Sequence, residues 1–169
     1  IDPADVVFSG VGKTDDDIRQ ALACGIGQIN AESIPEVAAI SAIAADMGVV
    51  APVALRVNVD VNPGTHAKIS TGQRDTKFGI STDQREASDL YRVLCDDPHI
   101  RPAGLAVHIG SQIRNLAPFE AAYSALLTLA NELRNAGMPV PNLDLGGGVG
   151  VDYDMAGPTD FTAYGKLVE

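Results

Sequence analysis

Four groups of residues could do chemistry. The first is LDLGGGVGVD at 143–152, where a short apolar run stops at Gly146, Gly147 and Gly148. Each glycine loses more backbone freedom on folding than any other residue, so three together need a reason. A Gly-rich turn after a strand lets the backbone approach a ligand and presents N–H groups that can cradle a phosphate. The plain alternative is a turn that merely tolerates glycine. The dinucleotide pattern G-x-G-x-x-G fails, because Val151 stands where its last glycine belongs. The second group is His108-Ile109-Gly110-Ser111-Gln112, which closes the run PAGLAVHI at 102–109. A polar cluster at the C-terminal end of a strand is where α/β folds place their chemistry. A core histidine bonded to backbone is the competing reading.

The third is Arg56, the one charge in VALRVNV at 53–59. An arginine in such a strand is rarely buried unpaired. It belongs either to a structural ion pair near the strand end or to a site. The fourth is Gly12-Lys13-Thr14. It resembles the end of a P-loop, but the first glycine of that motif would fall at Val7, so nucleotide binding is rejected. Thr14 reads instead as a helix N-cap, with Asp15, Asp16 and Asp17 favourably placed toward the helix dipole. Cys24 and Cys95 fall in helical patterns and read as small core residues of a reducing compartment. Neither carries a metal-ligand pattern around it.

Composition narrows the partners. With 46% hydrophobic residues in 169, the chain can build one sizeable core. A net charge of −10 argues against nucleic acid and anionic membranes. It leaves room for a local phosphate site built from backbone N–H groups. No apolar stretch reaches the roughly 20 residues of a membrane span. The opening IDPADVVFSG lacks a basic region and a cleavage-like site, and so does not read as a signal peptide.

The elements that must position these groups alternate. DVVFS at 5–9, residues 28–31, 53–59, 102–109 and 142–145 are expected as short, apolar strands. Helices are expected after Thr14, ending at Gly25, and after Ser33, ending at Gly48; Ser33 and Glu36 are read as a capping box. Further helices are expected from Thr82, over 117–136 with Gly137 as its stop, and near Thr159-Asp160. Ala87, Leu90, Tyr91 and Leu94 mark the buried face of the third helix, and Ala122, Leu126, Leu129, Ala130 and Leu133 that of the fourth. Residues 60–76 form a long polar loop of the kind that is often functional. Strands alternating with helices imply a parallel sheet under helical cover. Pattern alone leaves open whether that sheet is doubly wound or part of a (β/α) barrel.

Four stretches taken together resemble one family: VFSGVGKT at 7–14, GTHAKISTG with KFGI within 64–80, HIGSQI at 108–113 and LDLGGGVG at 143–150. Their order and spacing are similar to the barrel domain of the alanine-racemase-like, fold-type III pyridoxal-phosphate decarboxylases. The resemblance covers essentially the whole chain. It implies an incomplete α/β fold of (β/α)8 TIM-barrel type, with residues 1–169 supplying about strands three to seven and their helices. THAKISTG with KFGI is the narrower signal and favours the branch that converts meso-2,6-diaminopimelate to L-lysine over the ornithine and arginine branches. The implied cofactor is pyridoxal 5'-phosphate.

By the same resemblance, Gly146, Gly147 and Gly148 wrap the cofactor phosphate and Ser111 donates its hydroxyl to it. His108 stacks on the pyridine ring as the catalytic candidate, and Arg56 lies beneath the cofactor. Lys77 pairs across the interface of a cytoplasmic homodimer. Lys13 and Lys68 match no role. The resemblance places the lysine that holds the cofactor covalently, an acidic partner of the pyridine nitrogen, and a cysteine and tyrosine of a C-terminal β-domain outside this chain, which is therefore expected to be inactive alone. Two other readings compete: a non-catalytic barrel that binds the cofactor, and an acidic α/β domain whose glycines hold a sugar phosphate.

Overall fold

The computed structural model describes residues 1–61, 79–81, 84–152 and 159–169, with backbone only at 81 and 84–86. The polar loop at 60–76 and the Thr82 helix start lie outside these residues, save Asp60 and Val61. A 3-10 turn, Pro3–Asp5, leads into β1 (Val7–Phe8), α1 (Asp15–Cys24), β2 (Gln28–Ala31), α2 (Ile34–Met47) and β3 (Ala51–Asn58). Then follow β4 (Ile80–Ser81), α3 (Gln84–Asp96), β5 (Ile100–Ala106), α4 (Ala117–Asn135), β6 (Asn142–Asp144) and α5 (Phe161–Val168).

Local signals explain the helices. The Thr14 hydroxyl accepts from the Asp17 N–H while the Asp17 carboxylate accepts from the Thr14 N–H, and α1 ends at Gly25. Ser33 caps α2 through the Glu36 N–H, but the expected reciprocal half is absent. Glu36 instead accepts from the Glu32 N–H and from Lys13, a stronger, charge-assisted partner. α4 begins without a side-chain cap and is held by its buried stripe of Phe119, Ala122, Leu126, Leu129, Ala130 and Leu133. The expected buried face of α3 is also buried throughout.

The strands β1, β2, β3, β5 and β6 lie side by side in chain order, all parallel, while the short β4 pairs with the end of β3. A doubly wound sheet reverses its strand order at a switch point. A sheet whose spatial order follows the chain keeps its crossover helices on one face, which is the arrangement of a barrel. The chain is thus half of such a barrel, and the question left open by pattern is settled.

One face of the sheet meets the helices. Ile29, Ala31, Val53, Leu55, Val57, Leu105 and Val107 join Ile18, Ile40, Leu94 and Leu126 in a single core. The opposite face carries Gln28, Asn30, Glu32, Arg56 and Asn58, all buried although polar. This corrects the expectation of apolar strands: β2 is polar at every second residue, because its concave face looks into the barrel interior. Strand limits shift as well. β1 pairs only at Val7 and Phe8, β5 begins at Ile100 and ends before His108, and β6 stops at Asp144. β3 starts earlier than expected, at Ala51. Cys95 is half-buried against the core, but Cys24 is exposed near the end of α1, so the reading of both as core residues holds only for Cys95; both are free.

Two neighbours on α4 test this packing. Leu126 is fully buried and Leu127 is half exposed. Leu126→Ala should cost about 2–5 kcal/mol by denaturant unfolding. Leu127→Ala should cost no more than about 0.5 kcal/mol.

Candidate functional site

The C-terminal ends of the parallel strands meet around a cavity of 430 Å³ open to solvent. Ser9 and Gly10 follow β1, Asn30 and Arg56 rise from β2 and β3, Val107 and His108 follow β5, and Asp144, Gly146 and Gly147 close it from β6. Register brings the central pieces level: Arg56 lies opposite Ala106, and Ala106 opposite Asp144. The small Ala106 between them leaves the space that the cavity occupies.

The floor is a buried ion pair. Arg56 Nη1 lies 2.8 Å from both carboxylate oxygens of Glu32, and Arg56 Nη2 reaches the His108 carbonyl oxygen at 3.4 Å. Glu32 Oε1 also accepts from the Gly10 N–H at 3.2 Å. The two readings of Arg56 therefore both hold, since it is in an ion pair at a strand end and lines the cavity. Beside this pair, Gln28 donates to Asn30, and Asn30 donates to Asp144 at 2.7 Å. The second Asp144 oxygen accepts from the Gly146 N–H at 2.8 Å, which starts the glycine turn. Lys13 points away from any phosphate-binding role. Its ammonium is buried against the carbonyls of Gly10 and Asn30 and the carboxylate of Glu36.

The glycine loop and the loop after His108 are joined. Ile113 N–H donates to the Gly148 carbonyl and Gly150 N–H to the Ile113 carbonyl, forming an isolated parallel bridge. Gln112 takes the left-handed conformation at φ 59°, which a non-glycine residue rarely does, and its amide oxygen accepts from the Val151 N–H at 2.9 Å. At Gly148, with φ 100°, a Cβ would collide with the Gly110 carbonyl oxygen. Only glycine permits that approach.

His108 is half-buried, and its Nδ1 accepts from the Gly147 N–H at 3.3 Å. An accepting Nδ1 carries no proton, so the ring is neutral with its hydrogen on Nε2. Burial, and then the Arg56 guanidinium, hold its pKa below the usual histidine value, while Asp144 and Glu32 oppose that shift. The site thus keeps an uncharged imidazole beside a neutralised ion pair.

The structure brings His108, Arg56, Gly146 and Gly147 to the lining of one cavity. Gly148 and the exposed Ser111 lie outside its lining. Neither the Gly148 N–H nor the Ser111 hydroxyl has a hydrogen-bond partner among the described residues. Lys77 and Lys68 lie outside those residues. Glu32 and Asn30 carry no role in the sequence reading, and Asp144 and Gln112 enter it only as parts of their motifs. The signal was present in the alternation of Gln28, Asn30 and Glu32, which placed three polar residues on one face of a strand. Among the described residues no group of histidine, cysteine and carboxylate side chains could hold a metal. No described helix is long and apolar enough to cross a membrane.

The family model for the pyridoxal-binding domain of pyridoxal-dependent decarboxylases matches residues 1–169, and the chain belongs to that family. It is 47% identical to the diaminopimelate decarboxylase of Zymomonas mobilis, an alignment that covers all of this chain and 40% of the relative. The crystal structure of diaminopimelate decarboxylase from Helicobacter pylori complexed with L-lysine superposes with a TM-score of 0.94 at 33% identity, over 99% of this chain and 42% of that one. An arginine decarboxylase of Paramecium bursaria Chlorella virus, at 22% identity and a TM-score of 0.76, shares the fold. The chain therefore spans about two fifths of the length of the relatives it matches.

The neutral state of His108 has a pH signature. Its folded pKa lies below the ordinary 6.5 because burial and the Arg56 guanidinium disfavour the charged ring, so the folding stability linked to the neutral ring is fully present above that value. It is lost as pH falls through the folded pKa. Nuclear magnetic resonance titration of the His108 ring should give a midpoint below 6.5. His108→Gln should flatten the fall in stability on that acid limb.

Proposed function

We propose that the protein carrying this chain converts meso-2,6-diaminopimelate to L-lysine with pyridoxal 5'-phosphate, and that residues 1–169 are the central part of its barrel domain. The observation that carries this reading is the match of the whole chain, at 47% identity, to a diaminopimelate decarboxylase. The site fits the cofactor. A cavity of 430 Å³ can take a small heterocycle, and an uncharged imidazole borders it. The Gly148 N–H and the Ser111 hydroxyl offer donors to an anion without needing a positive surface.

In this reading Gly146, Gly147, Gly148 and Ser111 hold the phosphate, and His108 lies against the pyridine ring. Arg56 supports the ring from beneath through its contact with the His108 carbonyl. The bound cofactor supplies the electron sink for the departing carboxylate's electron pair. The protein's own contribution is placement. The glycine loop would anchor the phosphate, and His108, fixed at Nδ1 by the Gly147 N–H, would supply an aromatic wall that restricts how the ring can lie. A neutral His108 brings no charge that would draw electrons or attract a water cluster. The proposal extends to a homodimer with Lys77 at its interface, which rests on the resemblance alone, and to a cytoplasmic setting, which the two free cysteines suit.

The full-length protein should release CO2 from meso-diaminopimelate and not from ornithine or arginine. The reverse selectivity would refute the substrate assignment. In the same protein His108→Ala should weaken cofactor binding and slow decarboxylation by about a hundredfold while the fold persists. An unchanged rate and cofactor affinity would return His108 to the role of a core histidine.

A further inference from the structure

The carboxylate of Glu32 is at the meeting point of three strand ends, yet it does not line the cavity. It stands just past β2, is 7% exposed, and holds Arg56 of β3 through both oxygens at 2.8 Å. One of those oxygens also takes the Gly10 N–H that follows β1. Through Arg56 Nη2 the same group reaches the backbone carbonyl of His108 after β5. Gly10, Arg56 and His108 all line the cavity, and each is tied to Glu32 directly or through one bond.

We infer that Glu32 is the positioning residue of the site: it fixes the guanidinium of Arg56, and through it the height and tilt of His108 against the bound ring. The inference rests on the proposed cofactor site and goes beyond it, because it assigns a role to a residue outside the cavity. A guanidinium buried without a partner is costly, so Arg56 adopts this position because Glu32 neutralises it. Two carboxylate oxygens on one Nη leave the arginine little rotational freedom, so Nη2 is aimed rather than mobile. The His108 carbonyl lies two residues past the end of β5, and Arg56 Nη2 reaches it there at 3.4 Å.

Because Glu32 cancels the charge of Arg56, the floor beneath the cavity is also neutral. It directs by donor geometry and not by attraction of a substrate carboxylate. Among the described residues, the titratable groups near the pair include His108, Asp144 beyond Asn30, and Lys13, whose ammonium is taken up by Glu36.

The test uses the full-length protein and reads pyridoxal phosphate binding by absorbance, together with the tautomer of His108 by 15N resonance. Glu32→Gln keeps the shape and removes the charge. It should weaken cofactor binding by about tenfold, as loss of an outer-shell partner typically does, and should mix the His108 tautomers. Arg56→Gln should do the same. The double variant Glu32→Gln/Arg56→Gln removes both members of the pair and should be no worse than either single change, because the two act as one unit. Glu32→Asp should recover part of the affinity.

Wild-type affinity and a single tautomer in Glu32→Gln would overturn the inference, and so would fully additive losses in the double variant. Should Glu32→Gln fail to fold, Glu32→Asp decides: affinity below wild type with mixed His108 tautomers supports the inference, and wild-type affinity with a single tautomer overturns it. None of these readouts depends on which amino acid is decarboxylated. A change of substrate would therefore defeat the proposed reaction and leave this result standing. A wild-type protein without cofactor affinity would defeat the proposed site, while the His108 tautomer would still report on Glu32.

Discussion

The buried pair of Glu32 and Arg56 is the constraint on which the rest of the site depends. A parallel sheet that curls toward a barrel has an inner face that helices cannot cover. Placing charge there is expensive unless each group is satisfied. The chain meets this with two adjacent networks. Glu32, Arg56 and the His108 carbonyl form one, and Gln28, Asn30, Asp144 and the Gly146 N–H form the other. Together they reach the ends of all the longer strands. The outer face is conventional by comparison, an apolar layer under α1 to α4.

These networks explain how a strongly acidic chain can offer a phosphate site. Net charge sets the field at a distance, whereas a cradle is built from local dipoles. The Asp144 carboxylate, which would repel an anion, is occupied by Asn30 and by the Gly146 N–H. The carboxylate of Glu32 is cancelled by Arg56. The negative charge next to the cavity is thus already taken up by protein donors. The glycine turn can then present its remaining N–H groups to a ligand.

Much of this was legible in the sequence, for identifiable reasons. Helices announce themselves at their ends, so Thr14, Ser33, Gly25 and Gly48 could be placed from residue type and spacing alone. The buried stripes of α3 and α4 were equally plain, because a period of 3.6 repeats over many residues. Strands of two to four residues offer no such repetition, and their limits depend on pairing partners far away in the chain. The direction of winding was illegible too, since it depends on which strands become neighbours. Glu32 was overlooked because it stands beside Ser33 and is easily absorbed into the start of α2. Its ion-pair partner is Arg56, 24 residues on, and the polar alternation of β2 does not reveal that pairing. Glu36 shows the same limit: a capping residue by spacing, it is drawn instead to the Glu32 N–H and Lys13.

The bridge between Ile113 and Val149 joins the loop after β5 to the loop after β6, and Gln112 reinforces it through Val151. Surface loops in α/β proteins ordinarily diverge in length independently of one another. Here an inserted residue on either side would move Ile113 out of register with Val149 and carry His108 or the glycines with it. The two loops are consequently a single heritable unit. Their lengths can change only together, and exchanging one of them between homologues requires exchanging both.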